Sequence, residues 1–167
     1  MALVSTPVLA RPDFSKRFTV QTDASDESLG AVLAQQHDDG EHPIVYISRV
    51  LRDAEKNYSA TERECLALIW AIKKFRPYLE GYNFTAIIDH SSLKWLNNLK
   101  EPTGRLARWA IELQQWDFDL QYRKGCFNYV PDALSRIPYK DLRKQSNDSE
   151  PDFLAVLEEI HDEWYLR

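Results

Sequence analysis

Apolar and polar positions alternate along Arg17-Phe18-Thr19-Val20-Gln21-Thr22-Asp23-Ala24-Ser25. Phe18, Val20 and Thr22 fall on one side, and Thr19, Gln21 and Asp23 on the other, which is the period of a strand. The strand runs out in a carboxylate. Two further strands are predicted over Gly30–Gln35 and Ile44–Ser48. Between them Asp38-Asp39-Gly40 marks a turn, because glycine tolerates the positive φ that tight turns demand. Three antiparallel strands on short loops make a meander.

The period then changes to 3.6. Cys65, Leu68, Ile69, Ile72, Phe75, Arg76 and Leu79 share one face, which predicts a single helix from Ser59 or Thr61 to Leu79. Ser59-x-x-Glu62 and Thr61-x-x-Glu64 are both capping-box patterns, and Gly81 is a natural stop. A fourth strand, Phe84–Asp89, also ends in an aspartate. A short helix from Ser91 or Ser92 through Leu99, a helix over Gly104–Gln115 and a fifth strand over Phe118–Tyr122 follow. The last helix of the body, Pro131–Arg136, carries proline in its first turn. The order is three strands, helix, strand, two helices, strand, helix. A strand–helix–strand crossover joined to a meander gives an α/β fold, a mixed five-stranded sheet flanked by helices. The loops at one end of its parallel strands form the natural site.

The 167 residues divide into a lead-in over 1–16, a body over 17–138 and an appendage over 139–167. The appendage is a charged linker followed by an amphipathic stripe of Phe153, Leu157, Ile160 and Trp164. Net charge is −5, but the appendage holds eight acids against four bases, so residues 1–138 are nearly neutral at −1. Charge therefore neither selects nor excludes a polyanionic substrate. No apolar run approaches the ~20 residues of a membrane span. Met1-Ala2-Leu3-Val4 lacks the flanks of a signal peptide. Cys65 and Cys126 have no metal-ligand spacing, nor do His37, His42, His90 and His161, and a reduced intracellular chain is the expectation.

Five acids sit where that fold would place a site. Asp23 and Asp89 end strands, Glu62 and Glu64 open the crossover helix, and Asp132 opens the last helix. Singly, each has an ordinary use as a turn residue, a cap or a partner for a helix dipole. Clustered, they would repel one another unless cations were present. Hard oxygen donors suit magnesium or manganese. Two such ions about 4 Å apart are the arrangement that cleaves phosphodiesters. Lys94, Lys100, Arg105, Arg108, Arg123 and Lys124, with Trp95 and Trp109, form a candidate phosphate track. Solvated bases and core tryptophans are the alternative.

Several segments together resemble one family. They are Thr22-Asp23-Ala24-Ser25, Gly30-Ala31-Val32-Leu33, HPIVYISR, TERECLALIWAIKKFRPYL after Asn57-Tyr58, Ile88-Asp89-His90, GRLARW and VPDALSR. In order and spacing they closely resemble the ribonuclease H domain of gypsy-like LTR-retrotransposon Pol polyproteins, over roughly residues 5–138. The run TPVLARPDFS resembles the junction that leaves the reverse transcriptase domain. The resemblance implies a ribonuclease H-like fold and hydrolysis of the RNA strand of RNA–DNA hybrids. It also implies two Mg2+ ions, with Mn2+ as substitute, held by Asp23, Glu64, Asp89 and Asp132. Helical periodicity does not choose between Glu62 and Glu64. The family pattern, with its ligand just before Cys65-Leu66-Ala67, favours Glu64 and leaves Glu62 as cap. Asn128 matches a polar residue near the hybrid, and Arg105, Arg108 and Ser25 complete the candidate substrate contacts. Implied partners are the hybrid, a reverse transcriptase upstream and an integrase downstream, without a membrane. The implied place is the cytoplasm, inside a virus-like particle.

Two departures weaken turnover and independent grip. Residues 123–131 contain no histidine, and no dense basic helix lies between Asp89 and Phe118. A catalytically silent connection domain of the same fold and a host-domesticated descendant are the competing readings. The first would be marked by loss of an acid, and all four are present.

Overall fold

The computed structural model describes residues 9–88 and 104–123. Strands β1 (Phe18–Ala24), β2 (Ser28–His37) and β3 (Gly40–Val50) form the meander. A 3-10 turn over Glu55–Asn57 leads into α1 (Ala60–Lys74) and α2 (Arg76–Leu79). Then come β4 (Phe84–Ile88), α3 (Gly104–Leu113) and β5 (Phe118–Tyr122). The sheet runs β3-β2-β1-β4-β5, antiparallel among the first three strands and parallel among β1, β4 and β5. This is the mixed five-stranded sheet the residue pattern implies. The helices expected over 91–99 and 131–136, and the stripe over 153–164, lie outside the described residues.

Three boundaries differ from expectation, each for a local reason. The β2–β3 hairpin is longer than its apolar runs, because backbone pairing continues from Ser28↔Val50 to His37↔Gly40. Gly40 there takes φ 138°, open to glycine and strained for other residues. The helix expected to reach Leu79 breaks at Phe75, whose N–H still bonds Ala71 O at 2.9 Å. Pro77 has no N–H to give Lys73, and its ring crowds that carbonyl, so the chain restarts as α2 with Leu79 N–H on Phe75 O. With Ser59 as N-cap, Glu62 is the third helical residue and Glu64 the fifth. Glu62 alone of the two belongs to the first turn.

One face of the sheet meets α1. Phe18, Val20, Leu29, Leu33 and Ile47 pack with Leu68, Ile72, Phe75 and Leu79 in the main core. Val32 and Ala34 point the other way and are also buried, with Tyr46 against them. A central strand covered on both faces need not alternate in burial. In β1, accordingly, Gln21 and Asp23 are as buried as Val20 and Thr22.

Candidate active site

Strand direction brings the acids to one end. β1 and β4 run in parallel, Gln21 beside Ile87, so Asp23 and Ile88 approach the same edge of the sheet. β3 returns the chain to that edge, Val50 opposite Ser28, and α1 therefore begins there. Asp23 is 4% exposed and Glu64 6%. Two almost wholly buried carboxylates are an unusual use of a core, since burying a charge opposes folding strongly unless it is compensated. As a donor set they are hard oxygens, which fits a magnesium- or manganese-like cation. Among the described residues no group of three or more His, Cys, Asp or Glu side chains is placed to hold a metal. Asp89, Asp132 and Asn128 lie outside the described residues.

Glu62 and Glu64 part company here. The Ser59 N–H donates to Glu62 Oε2 at 2.9 Å, while the Ser59 hydroxyl accepts the Glu62 N–H at 3.2 Å. That reciprocal capping box satisfies two helix-end donors. The other Glu62 oxygen, Oε1, takes Arg105 Nη1 at 2.8 Å. The Ser59 N–H above all, with the Ser59 hydroxyl and Arg105, holds the Glu62 carboxyl below its usual range against the opposing effect of burial. Both Glu62 oxygens are thus committed to the start of α1. The glutamate that stays buried beside the apolar stripe is Glu64.

The candidate substrate residues are placed differently from one another. Arg105 stacks on Tyr58, its guanidinium carbon 3.8 Å from the ring centroid, and pairs with Glu62. It joins α3 to the start of α1, so a phosphate would have to share or displace those contacts. Arg108 is exposed on α3. Of the two arginines, Arg105 is half-buried against the start of α1 and Arg108 is open to solvent. The Ser25 hydroxyl accepts the Glu27 and Ser28 N–H groups at 3.2 and 3.0 Å and shapes the β1–β2 turn. Trp109 packs at the core margin against Tyr58, ring centroids 6.0 Å apart. Arg123 reaches Glu41 Oε2 at 3.5 Å, and Gln21 Nε2 donates to the same oxygen at 2.7 Å.

Sequence reasoning missed two ionic links at this end. Arg49 and Glu55 form a buried bidentate pair, at 2.7 and 3.1 Å. Arg63, next to Glu64, pairs with Asp26 in the turn after Asp23. A spacing of 37 residues carries no periodic signal, so nothing in the sequence alone could pair those last two.

A family model described as the RNase H-like domain found in reverse transcriptase matches residues 13–116. The retrovirus-related Pol polyprotein from transposon 297 of Drosophila melanogaster is 50% identical over 139 residues, covering 83% of this chain. The chain spans 13% of that polyprotein's length. Among solved structures, the foamy viral protease-reverse transcriptase in complex with RNA/DNA hybrid superposes with TM-score 0.56 at 20% identity, over 87% of this chain and 19% of that one. RNase H1 from the halophilic archaeon Halobacterium salinarum gives TM-score 0.57 at 17% identity, over 75% of this chain and 98% of that one. At such identities the structures speak for the fold, and the family rests on the sequence matches: the chain belongs to the RNase H-like domains found in reverse transcriptases, here of the kind carried by LTR-transposon Pol polyproteins.

Proposed function

We propose that this chain hydrolyses the RNA strand of RNA–DNA hybrids during reverse transcription of an LTR retrotransposon. The observation that carries the proposal is the pair of buried carboxylates, Asp23 from β1 and Glu64 from α1, on elements that meet at one end of the sheet. In this reading Asp23 and Glu64, joined by Asp89 and Asp132, hold two divalent cations, magnesium with manganese as substitute. Bound there, such ions supply an activated water and a counter-charge for the leaving oxygen.

The protein's own part is placement. β1 and α1 are regular elements seated on the core, and they fix the two carboxylate stems to the accuracy a cation site needs. Burial keeps bulk water off the carboxylates. The capping box keeps Glu62 from competing with Glu64 for a cation. Arg108, exposed on α3, and Asn128 are the candidates for contact with the hybrid's phosphates, and Ser25 and Arg105 act through the frame that they brace. The hybrid bound by the foamy viral relative is the substrate class proposed here. A reverse transcriptase upstream, an integrase downstream and a cytoplasmic particle complete the proposal.

The test is cleavage of a 5′-labelled RNA–DNA hybrid with magnesium, with manganese and with neither. Asp23→Asn and Glu64→Gln should each lower the rate by about a hundredfold or more, the scale on which a misplaced reacting group costs a reaction. Glu62→Gln should retain most of the activity. Cleavage by Asp23→Asn at the wild-type rate sinks the proposal, and loss in Glu62→Gln with activity kept in Glu64→Gln reassigns the glutamate.

A further inference from the structure

The β1–β2 turn and the start of α1 are bridged by side chains. Arg63 Nη2 lies 2.5 Å from Asp26 Oδ1. Asp26 is three residues beyond Asp23, and Arg63 immediately precedes Glu64. The Arg63 side chain is only 16% exposed and that of Asp26 is 87% exposed. The guanidinium is thus drawn in against the protein, and the loop carboxylate comes to it. The loop has little slack to do otherwise. The Ser25 N–H bonds Ser28 O at 2.9 Å, and the Leu51 N–H bonds Glu27 O at 2.7 Å. An ion pair with so exposed a partner contributes little to stability. Its consequence is positional, because it joins the two backbone segments that carry the buried carboxylates.

We propose that Arg63 and Asp26 are a positioning pair that fixes the separation of Asp23 and Glu64 and thereby sets how tightly the site takes a divalent cation. The inference rests on reading Asp23 and Glu64 as cation ligands, and it makes neither member of the pair a ligand. Residues that orient metal ligands by direct contact typically change affinity about 10- to 100-fold when lost. This pair acts through backbone, one link further out. Loss of either member should therefore raise the cation midpoint about three- to tenfold.

Charge alone makes a different forecast, which gives the experiment its edge. Asp26→Asn removes a negative charge near the site and would weaken cation binding by field effects. Arg63→Gln removes a positive charge and by the same effect would tighten it. Positioning requires both to weaken it. The measurement is melting temperature against magnesium and manganese concentration, in parallel with hybrid cleavage. It covers wild type, Asp26→Asn, Arg63→Gln and the exchange of Asp26→Arg with Arg63→Asp. Arg76→Gln serves as control, since Arg76–Glu80 is an exposed pair of the same class on α2. The expected result is a higher cation midpoint in both single variants, recovery in the exchange and no change in the control. Metal-free melting temperatures should stay within about 4 °C of wild type, as for the loss of an exposed ion pair. Opposite shifts in the two single variants, or unchanged midpoints in both, overturn the inference while leaving the cation site standing. A wild-type melting temperature indifferent to both ions overturns the cation reading and the inference with it.

Discussion

Removing the Glu55 carboxylate should cost this fold far more than an ordinary surface change. Arg49 and Glu55 are 7% and 8% exposed. Both guanidinium ends are used, Nη1 to Oε2 at 2.7 Å and Nη2 to Oε1 at 3.1 Å. Glu55 Oε2 also accepts the Arg52 N–H at 2.8 Å, and Arg49 Nη1 donates to Val50 O at 3.2 Å. The guanidinium carbon lies 5.5 Å from the Trp70 ring centroid. The pair thus sews the end of β3 to the 3-10 turn and to α1. Glu55→Ala leaves a buried guanidinium without its counter-charge, a loss of about 3–5 kcal/mol. Domains have about 5–15 kcal/mol in hand, so the variant should be close to unfolding. At ~2–4 °C per kcal/mol its melting temperature should fall by about 6–20 °C. Replacing both partners with apolar residues of similar size, Arg49→Met with Glu55→Leu, removes the desolvation cost along with the attraction. That double variant should recover most of the loss.

Urea unfolding at pH 7, followed by tryptophan fluorescence, measures wild type and both variants. A Glu55→Ala cost under ~1 kcal/mol would place the pair with surface ion pairs and refute the argument. So would a double variant as unstable as the single. The pH dependence supplies a second check. Burial pushes the Glu55 carboxyl up, but the hydrogen bonds from Arg49 and the Arg52 N–H and the arginine charges outweigh it, leaving the group below its ordinary 4.5. A carboxylate lowered on folding stabilises fully above the unfolded value, and its contribution is lost as pH falls through the folded value. The gap between wild type and Glu55→Ala should therefore be widest near neutrality and close below pH 4.5.

Asp23→Asn and Glu64→Gln should leave metal-free stability unchanged or raise it, since each removes a buried charge at nearly constant volume; a fall of more than ~1 kcal/mol in urea would mark the carboxylate as structural. Gln35 is fully buried, its Oε1 accepting the Asp13 N–H at 2.9 Å and its Nε2 donating to Asp13 O and Lys16 O at 2.7 and 3.0 Å. Gln35→Leu strands the Asp13 N–H and the Lys16 carbonyl at about 1–3 kcal/mol each, while Asp13 O keeps the Lys16 N–H at 3.0 Å, so trypsin should cut after Lys16 and Arg17 faster than in wild type, and equal cutting rates would show that the lead-in is held elsewhere.

What could be read from the sequence divides along a physical line. Periodicity and turn residues located every strand and both long described helices, because those signals are local. The mixed five-stranded character of the sheet followed from the same elements through connection rules, and its strand order came from the structure. Local signals also narrowed the start of α1 to Ser59 or Thr61, yet they could not choose between Glu62 and Glu64. Both satisfy a capping pattern, and the choice between cap and buried ligand depends on what faces the helix. In the structure Arg105, 43 residues away, occupies Glu62. The same blindness hid Arg63–Asp26 and the contacts of Arg105 with Glu62 and Tyr58. Where the apolar pattern did mislead, at the unbroken helix to Leu79, the corrective residue was visible: Pro77 forbids the bond that continuity would need.

The distribution of ties over the sheet argues for which end works. At the end opposite the acids the Gln35 hydrogen bonds to Asp13 and Lys16 are accompanied by aromatic contacts, Phe14, Phe18, Tyr78 and Tyr82 packing with centroids 5.5–6.3 Å apart. Such contacts hold without demanding one geometry. At the Asp23 end they are directional: the Ser25 turn, the Ser59 capping box, the Arg49–Glu55 fork and the Arg63–Asp26 bridge. Directional bonds of this kind add little net stability each. They narrow the positions a backbone can take. A fold that needed only to stand could have placed apolar residues there, as it does in the aromatic cluster at the other end. Placing buried carboxylates amid a lattice of fixed hydrogen bonds makes sense where the distance between those carboxylates matters, and that is the requirement of a cation site.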